Sequence, residues 1–452
     1  MLKENLTSTP ARRSHGHLLR VLGVGFGLAV IVGNTIGGGI FRTPGAVADH
    51  LPNLWLYLGV WVAGGVYALL GANSIAELGA MIPQSGGQYV FARHALGEYA
   101  GFVVGWSDWI STCGSAAAVS IVVGEFLVAL LPAEKSSNIG LWIAAGVSTF
   151  FAVLQWRSIG WGSTTQNLTS LAKALLFICL IGACFLIGGG GSLTVRQTGT
   201  ITMDWSLLIP IMLSLQSVIY TYDGWTGVIY FSEEVENPGK DIPRSMFGGV
   251  LSVFLLYMLV NVALLYLLPI SQIAGKDFAA GVAATVIFGR YGDTVFRLIT
   301  VVSMFSTINA CHLMASRVLF AMSRDGLFSR RAATVNAGGT PTFSLFLSAV
   351  VTLLFILFGQ TFEKVISVMA FFFVAMYTVS FVSVFVLRRR EPRRLRPFKA
   401  WGYPWTTAIA LIGSVLFLAG AVGSDPQSGL YAGLLLLLSY PVFRLIKRSQ
   451  QM

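Results

Sequence analysis

The sequence predicts an all-α membrane protein of twelve transmembrane helices. Three observations carry that prediction. Of 452 residues, 55% are hydrophobic and only 11% are charged, where a soluble chain carries about 25% charged residues. The apolar residues fall in runs of about 20, the length that crosses hydrocarbon as a helix. Lys and Arg gather in the short segments on one side of those runs, as they do in cytoplasmic loops.

Taken in order, the spans cover about 21–48, 54–81, 99–131, 139–157, 167–189, 205–232, 245–268, 291–321, 341–360, 363–387, 404–423 and 429–446. An even number puts both termini on one side. With the termini inside, 22 of the 30 Lys and Arg fall in inner segments and 7 in outer ones, and Lys173 lies within a span. That bias predicts a multi-pass protein of the plasma (inner) membrane with cytoplasmic N- and C-termini. The first apolar run is longer than a signal-peptide core of about 7–15 residues, so no cleaved leader is expected. Cys113, Cys179, Cys184 and Cys311 lie in apolar stretches, which argues against a disulfide framework. The net charge of +11 is scattered over short loops and gives no nucleic-acid surface. The densest basic run, RRREPRRLRPFK, reads as a topology anchor at a membrane lipid surface.

The first span holds VIVGNTIGGGIFRTPGAVA, with Gly37, Gly38 and Gly39 at its centre. Gly in a helix interior costs about 1 kcal/mol against Ala, so three in a row predict a break. A break in hydrocarbon leaves main-chain polar groups unpaired at several kcal/mol each. The outer half-helix then begins near Gly38, and its free N–H groups suit an anion. The inner half ends near Gly33 to Thr35 with free carbonyls, which suit an ammonium. The sixth span repeats the defect at Ser217 to Gly227, with Tyr220, Thr221, Asp223 and Gly224 at its centre. Two broken spans in corresponding positions are the signature of repeats packed around a midplane site, although two separate glycine packing contacts would leave the same trace. A site that takes a carboxylate and an ammonium side by side is a site for an α-amino acid.

Five stretches in order resemble the amino acid–polyamine–organocation superfamily, and within it the L-type amino acid transporter family. They are VGNTIGGGIFRTPG, AELGAMIPQSGGQYVF, YTYDGWTGVIYFSEEVENPGKDIPRS, SRVLFAMSRDG and RPFKAWGYP. Gly38 stands where the family commonly has Ser. The resemblance implies a five-plus-five inverted repeat with discontinuous helices 1 and 6, plus two extra helices. The repeats would be 21–189 and 205–387, the added pair 404–446, and the cytoplasmic tails 1–20 and 447–452. It also implies roles. Asn34 and Thr35 belong to the binding segment, and the N–H groups of Gly37, Gly38 and Gly39 would hold the substrate carboxylate. Carbonyls of Thr35, Tyr220, Thr221 and Asp223, beside Gly224, would take the ammonium, with Tyr220 closing over the substrate as a gate. Lys173 matches the lysine that stands where sodium-coupled relatives hold Na⁺, with Ser306 and Thr307 as its nearest hydroxyl partners. Na⁺ independence follows.

Read alone, Lys173 in the fifth span could instead turn its amine toward the membrane surface, and it could also carry a coupling proton. Asp108 reads equally as a structural hydrogen-bond acceptor or as a cavity carboxylate. Glu125 reads as solvated, and His312 as a core histidine or a proton relay. Arg42 either pairs with a local acid or faces the substrate path. Glu77, Glu233, Glu234 and Glu236 read as gate or anchor residues facing the inner basic loops. There is no phosphate-cradling GxxxxGK[ST] motif, and no catalytic constellation, so neither ATP hydrolysis nor an enzyme is expected, and no cofactor. The implied activity is secondary transport of α-amino acids, neutral ones by default, by exchange or with a proton. An amino-acid sensor that hardly transports is the alternative. Family members that pair with a glycoprotein do so through a cysteine before the fourth span. The loop here, LPAEKSSN, has none, so no such subunit is expected.

Overall fold

The computed structural model describes residues 18, 20–130, 137–187, 205–359 and 362–451. Among the described residues it is all-α, with sixteen helices. The first span is two helices, α1 (Val24–Thr35) and α2 (Gly38–His50), bent by 43° at Ile36 and Gly37. Then follow α3 (Leu54–Met81), the short α4 (Gln88–Leu96), α5 (Glu98–Val128), α6 (Ser137–Arg157) and α7 (Ile159–Ile187). The sixth span is α8 (Leu208–Tyr222), a turn, and a 3-10 helix over Gly227–Phe231. After it come α9 (Pro238–Leu267), the short α10 (Ile270–Ile273) and α11 (Ala279–Phe288), and then α12 (Gly292–Arg324), α13 (Thr342–Gly359), α14 (Phe362–Arg390), α15 (Trp405–Ser424) and α16 (Pro426–Gln451). Eleven helical segments are long and apolar enough to cross a membrane, and the bent α1–α2 pair makes a twelfth. The chain is a multi-pass membrane protein. The glycoprotein-linking position expected before the fourth span falls largely in 131–136, outside the described residues.

The spans divide by burial. The apolar window of α5 is 83% buried and that of α16 only 11%, so α5 is a central post and α16 a peripheral helix. Against α5 pack α12, α6, α14 and α13. The half-helix α1 lies on α9, α7 and α12, and α2 lies on α8, α10 and α11. Several boundaries differ from expectation for local reasons. α9 starts at Pro238 rather than near 245 because Pro has no N–H to lose in a first turn. The expected re-entrant loop after the second span contains α4, which stops at Gly97 (φ +97°). α11 was not expected, since ten residues cannot cross a membrane and its apolar run carries no caps.

The face that carries the termini is tied shut. Leu22 pairs with Val235 as an isolated bridge, with Leu22 N–H donating to Glu234 O at 2.8 Å and Glu236 N–H to Leu22 O at 2.9 Å. Glu234 pairs with Arg317 at 3.1 Å, both side chains 0% exposed, and Arg324 pairs with Glu233 at 2.6 Å. Glu77, at the end of α3, accepts from Arg388 Nε at 2.9 Å, Arg396 Nε at 3.1 Å and Ala400 N at 2.7 Å. Glu236 makes no ion pair among the described residues. The basic loop RRREPRRLRPFK also makes contacts within the protein. Arg388 and Arg396 are spent on Glu77, Arg390 donates to Ala95 O at 2.9 Å, and Arg394 pairs with Glu391 at 2.7 Å. A buried carboxylate at the end of α3 draws the loop onto the protein, because a buried charge must be paired.

Candidate substrate-binding site

The break in the first span brings two helix ends together. α1 ends at Thr35, Gly37 is extended (φ −113°, ψ −150°), and α2 starts at Gly38 with no side-chain cap. The first-turn N–H groups of a helix have no partner within it and carry the positive end of its dipole. The carbonyls at the end of α1 are met by cations and hydroxyls. Gly33 O accepts from Lys173 Nζ at 2.8 Å, from Thr307 Oγ1 at 2.8 Å and from Ser306 Oγ at 3.3 Å, and Ile36 O accepts from Lys173. Lys173 is 0% exposed and donates to Thr307 Oγ1 at 3.0 Å. The alternative in which its amine reaches the membrane surface is excluded, because three acceptors at the break hold it. Ser306 reaches the same carbonyl as Lys173 and also donates to Ser303 O at 2.9 Å.

The break in the sixth span crosses the first. α8 ends at Tyr222, and Gly224 adopts φ +114°. A Cβ on Gly224 would lie 2.7 Å from Asn34 Nδ2 and 2.8 Å from Thr35 N, so both the backbone angle and the close crossing require glycine. Gly39 has a different reason. Its Cβ would lie 2.8 Å from Thr221 Oγ1 and 3.1 Å from Thr221 Cα; its smallness lets α2 approach α8. Thr43 and Thr221 share a hydroxyl hydrogen bond of 2.6 Å. Tyr257, on α9, reaches both breaks: its hydroxyl lies 2.8 Å from Thr35 O and 3.0 Å from Thr221 O. Tyr220 O accepts from Asp223 N at 3.0 Å.

Two small cavities, of about 30 Å³ and 20 Å³, lie between the breaks and share Asn34, Ser115 and Asp223. Thr35, Gly37, Gly38, Gly39, Tyr220 and Thr221 line the first with Thr307, and Gly224 lines the second. The residues singled out from sequence are thereby brought to one place, Lys173 and Ser306 standing behind the first break rather than in the cavities. Sequence reading missed Tyr257, Ser115, Thr112, Tyr230 and Tyr377. A lone Tyr in an apolar run carries little signal, although Asn261 one turn on, which accepts from Tyr57 and donates to Tyr257 O at 2.8 Å, marks that face of α9 as polar.

The buried charges have assignable partners. Asp108 accepts from Tyr230 at 2.6 Å, which positions a phenol on the second cavity. Asp223 accepts from Tyr377 through its side chain, an interaction beyond the main-chain role expected of it. His312 is a core residue whose Nε2 lies 3.0 Å from Ser148 Oγ. Arg42 pairs with Glu125. Glu125 is solvated as expected, its side chain 41% exposed, and α2 passes α5 closely enough for the guanidinium also to reach its carboxylate. All four cysteines are free. Among the described residues no group of three His, Cys, Asp or Glu could hold a metal ion.

Comparison with known proteins adds to this geometry. A family model described as amino acid permease matches residues 26–436. The chain is 29% identical over 440 residues to the serine/threonine exchanger SteT of Bacillus subtilis, covering 96% of this chain and 98% of the relative. It is 28% identical over 399 residues to the Asc-type amino acid transporter 1 of Mus musculus, covering 84% and 73% respectively. With the b(0,+)-type amino acid transporter 1 of Homo sapiens it shares 25% over 440 residues, covering 93% and 86%.

Proposed function

The chain belongs to the amino acid permease family, and on that footing we propose that it exchanges small neutral α-amino acids across the plasma (inner) membrane, independently of Na⁺. It is a secondary transporter of amino acids and not an enzyme. The face carrying the termini is cytoplasmic in this reading, which the distribution of Lys and Arg supports. The observation that carries the reading is the uncapped start of α2 facing the open end of α8 across a cavity walled by main chain.

The carboxylate lies at Gly37, Gly38 and Gly39, where N–H groups and the dipole of α2 converge; Gly37 N–H donates to Thr35 O at 2.9 Å in this conformation and turns to the substrate on binding. The ammonium takes the carbonyls of Thr35, Tyr220, Thr221 and Asp223. Tyr220 O and Thr221 O each already accept one hydrogen bond, and a carbonyl oxygen has two lone pairs. Thr35 O already accepts from Gly37 N at 2.9 Å and from Tyr257 at 2.8 Å, so it meets the ammonium only when one of these yields. Tyr220 covers the substrate. The side chain points into the second cavity, where Asn34, Thr112, Ser115 and Tyr230 offer polar atoms and little room. A small hydroxyl or amide fits there better than a large apolar group. Lys173 stands as a fixed cation at the end of α1, since three acceptors engage its amine. That favours a structural ammonium over a proton carrier, and exchange over proton symport. The bundle that carries the two broken helices rocks around this fixed site, without a disulfide-linked subunit.

Uptake of labelled amino acids into proteoliposomes tests the reading. Preloaded vesicles take up label and empty ones do not, with no change when Na⁺ is replaced or a pH gradient is imposed. Uptake into empty vesicles driven by a pH gradient would establish symport, and binding without uptake a sensor. Lys173→Ala abolishes transport while the protein still inserts. Wild-type rates for that variant at every pH would refute the role given to Lys173.

A further inference from the structure

We infer that the pocket on the face opposite the termini is an entry site that captures a zwitterionic amino acid before it reaches the central cavities. This rests on the transport reading above and goes beyond it. The pocket measures about 360 Å³, within the range of about 300–1,000 Å³ that holds small ligands. The two central cavities, at about 30 Å³ and 20 Å³, hold no more than water in this conformation. Room for a whole amino acid therefore exists one level above the clasp.

The walls have the right chemistry. Arg42, Lys276 and Arg297 line the pocket together with Glu125, Asp277 and Asp293. Such alternation repels a simple anion or cation from one wall as much as it attracts it to another, and it fits a molecule that carries both charges a few ångströms apart. Arg42 pairs with Glu125, and Arg297 Nε with Asp293 Oδ2 at 2.7 Å. Lys276 and Asp277 are exposed and make no ion pair among the described residues. A carboxylate is met by a guanidinium with two parallel hydrogen bonds, and the ammonium by Asp277.

The floor explains why the pocket stops where it does. Phe278 packs on Phe41 at 6.1 Å, Phe126 at 4.9 Å and Phe296 at 5.9 Å between ring centroids. The Arg297 guanidinium covers Phe278 at 4.8 Å and Phe126 at 5.0 Å. Phe41 is two residues past Gly39, and Arg42 is three. At about 1.5 Å of rise per residue, the Arg42 Cα stands about 5 Å along the axis from Gly39. A carboxylate that replaces Glu125 on Arg42 loosens the tie between α2 and α5 directly above the clasp. Capture and opening are one event in this scheme: the substrate competes for the ion pair that closes the path.

The test uses the full chain in intact cells and in inside-out vesicles from the same cells, so that substrate meets one face at a time. The double variant Lys276→Gln/Asp277→Asn removes two exposed side chains that tie no helices together. The expected result is a KM raised roughly twofold to fivefold from the face opposite the termini, the range that loss of exposed ion pairs gives. KM from the terminal face and kcat stay as in the unsubstituted protein. An unchanged KM on both faces, or an equal rise on both, overturns the entry site. Failure of the unsubstituted chain to take up any α-amino acid overturns the transport reading instead, and the two failures are thus distinct.

Discussion

The central site is closed on both faces, and the two closures are built differently. On the terminal face the closing ion pair, Glu234 with Arg317, is wholly buried, with Arg317 stacked over Phe231 at 5.3 Å and a backbone bridge from Leu22 to Val235 beside it. On the opposite face the pair is Arg42 with Glu125, whose side chains are 15% and 41% exposed, and it borders a pocket of about 360 Å³. Solvent reaches the Arg42–Glu125 pair and is excluded from Glu234–Arg317, though not from the neighbouring Arg324–Glu233 pair, whose side chains are 34% and 25% exposed. Opening the opposite face exchanges a solvated pair for solvated ions. Opening the terminal face strips a desolvated pair and a strand-like bridge at once. The buried pair is therefore the costlier of the two to separate.

The sharpest way to break the comparison is to cut the buried pair. Burial holds the Glu234 carboxyl above its ordinary range against the opposing pull of Arg317, so the pair survives only with both partners present. Glu234→Gln leaves Arg317 buried without a counter-charge, which costs about 3–5 kcal/mol. Thermal unfolding of the purified protein in detergent then shows a large fall in Tm, and a cysteine placed near Leu22 labels faster from the terminal face. The double variant Glu234→Leu/Arg317→Met should recover most of the lost stability, because replacing both charges removes the desolvation penalty. A double variant as unstable as the single one would show that packing rather than charge closes this face.

The matching change on the opposite face is smaller. Arg42→Gln removes an ion pair that is partly in water, worth about 0.2–1 kcal/mol. Its loss moves Tm little, but labelling of a cysteine near Phe278 from the opposite face rises. In the unsubstituted protein the same labelling rises with salt, since exposed pairs are screened over about 8–10 Å at 0.1–0.15 M. If Arg42→Gln proved as destabilising as Glu234→Gln, the asymmetry drawn between the closures would be wrong.

How much of this was legible in the sequence follows from how local each feature is. The two breaks were legible because they are written in composition: three glycines in one span, and Tyr220 to Thr226 in the other. The clustering of Asn34, Thr35, Gly37–Gly39, Thr221 and Asp223 followed, since those residues are the breaks. Lys173 was legible as a buried charge, and the structure supplied its acceptors. The closures were legible only in part: Arg42 read as pairing with an acid and Glu234 as facing the inner basic loops, but their partners did not show, because each pair joins residues 83 apart in sequence, Arg42 to Glu125 and Glu234 to Arg317. Tyr257 was hidden for a related reason. A single phenol in an apolar run looks interfacial until the fold brings two helix breaks to its hydroxyl. In the basic loop the charge density was visible, and so was Glu77 as an acid facing it; which arginines it takes, more than 300 residues on, was not.

The smallest effect separates burial from position. Glu391 lies on the same face as Glu234 but is partly exposed, its side chain 31% accessible; it accepts from Arg394 at 2.7 Å and lies 2.7 Å from His94 Nε2. If position decided strength, Glu391→Gln would resemble Glu234→Gln. If burial decides, the loss stays within about 0.5 kcal/mol, as for surface pairs. The hydrogen bond from Arg394, with help from His94, holds the Glu391 carboxyl below its ordinary value of 4.5. A carboxyl lowered on folding binds fewer protons in the folded state. Its contribution is thus complete above about pH 4.5 and is lost as the pH falls through the lowered value. Thermal unfolding followed from pH 7 down until the carboxyl is fully protonated in the folded state reads this directly. The unsubstituted protein loses slightly more Tm over that interval than Glu391→Gln does, and the two curves converge at the acid end. A Glu391→Gln deficit that persisted undiminished at low pH would mean that the side chain's shape, not its charge, matters at this position.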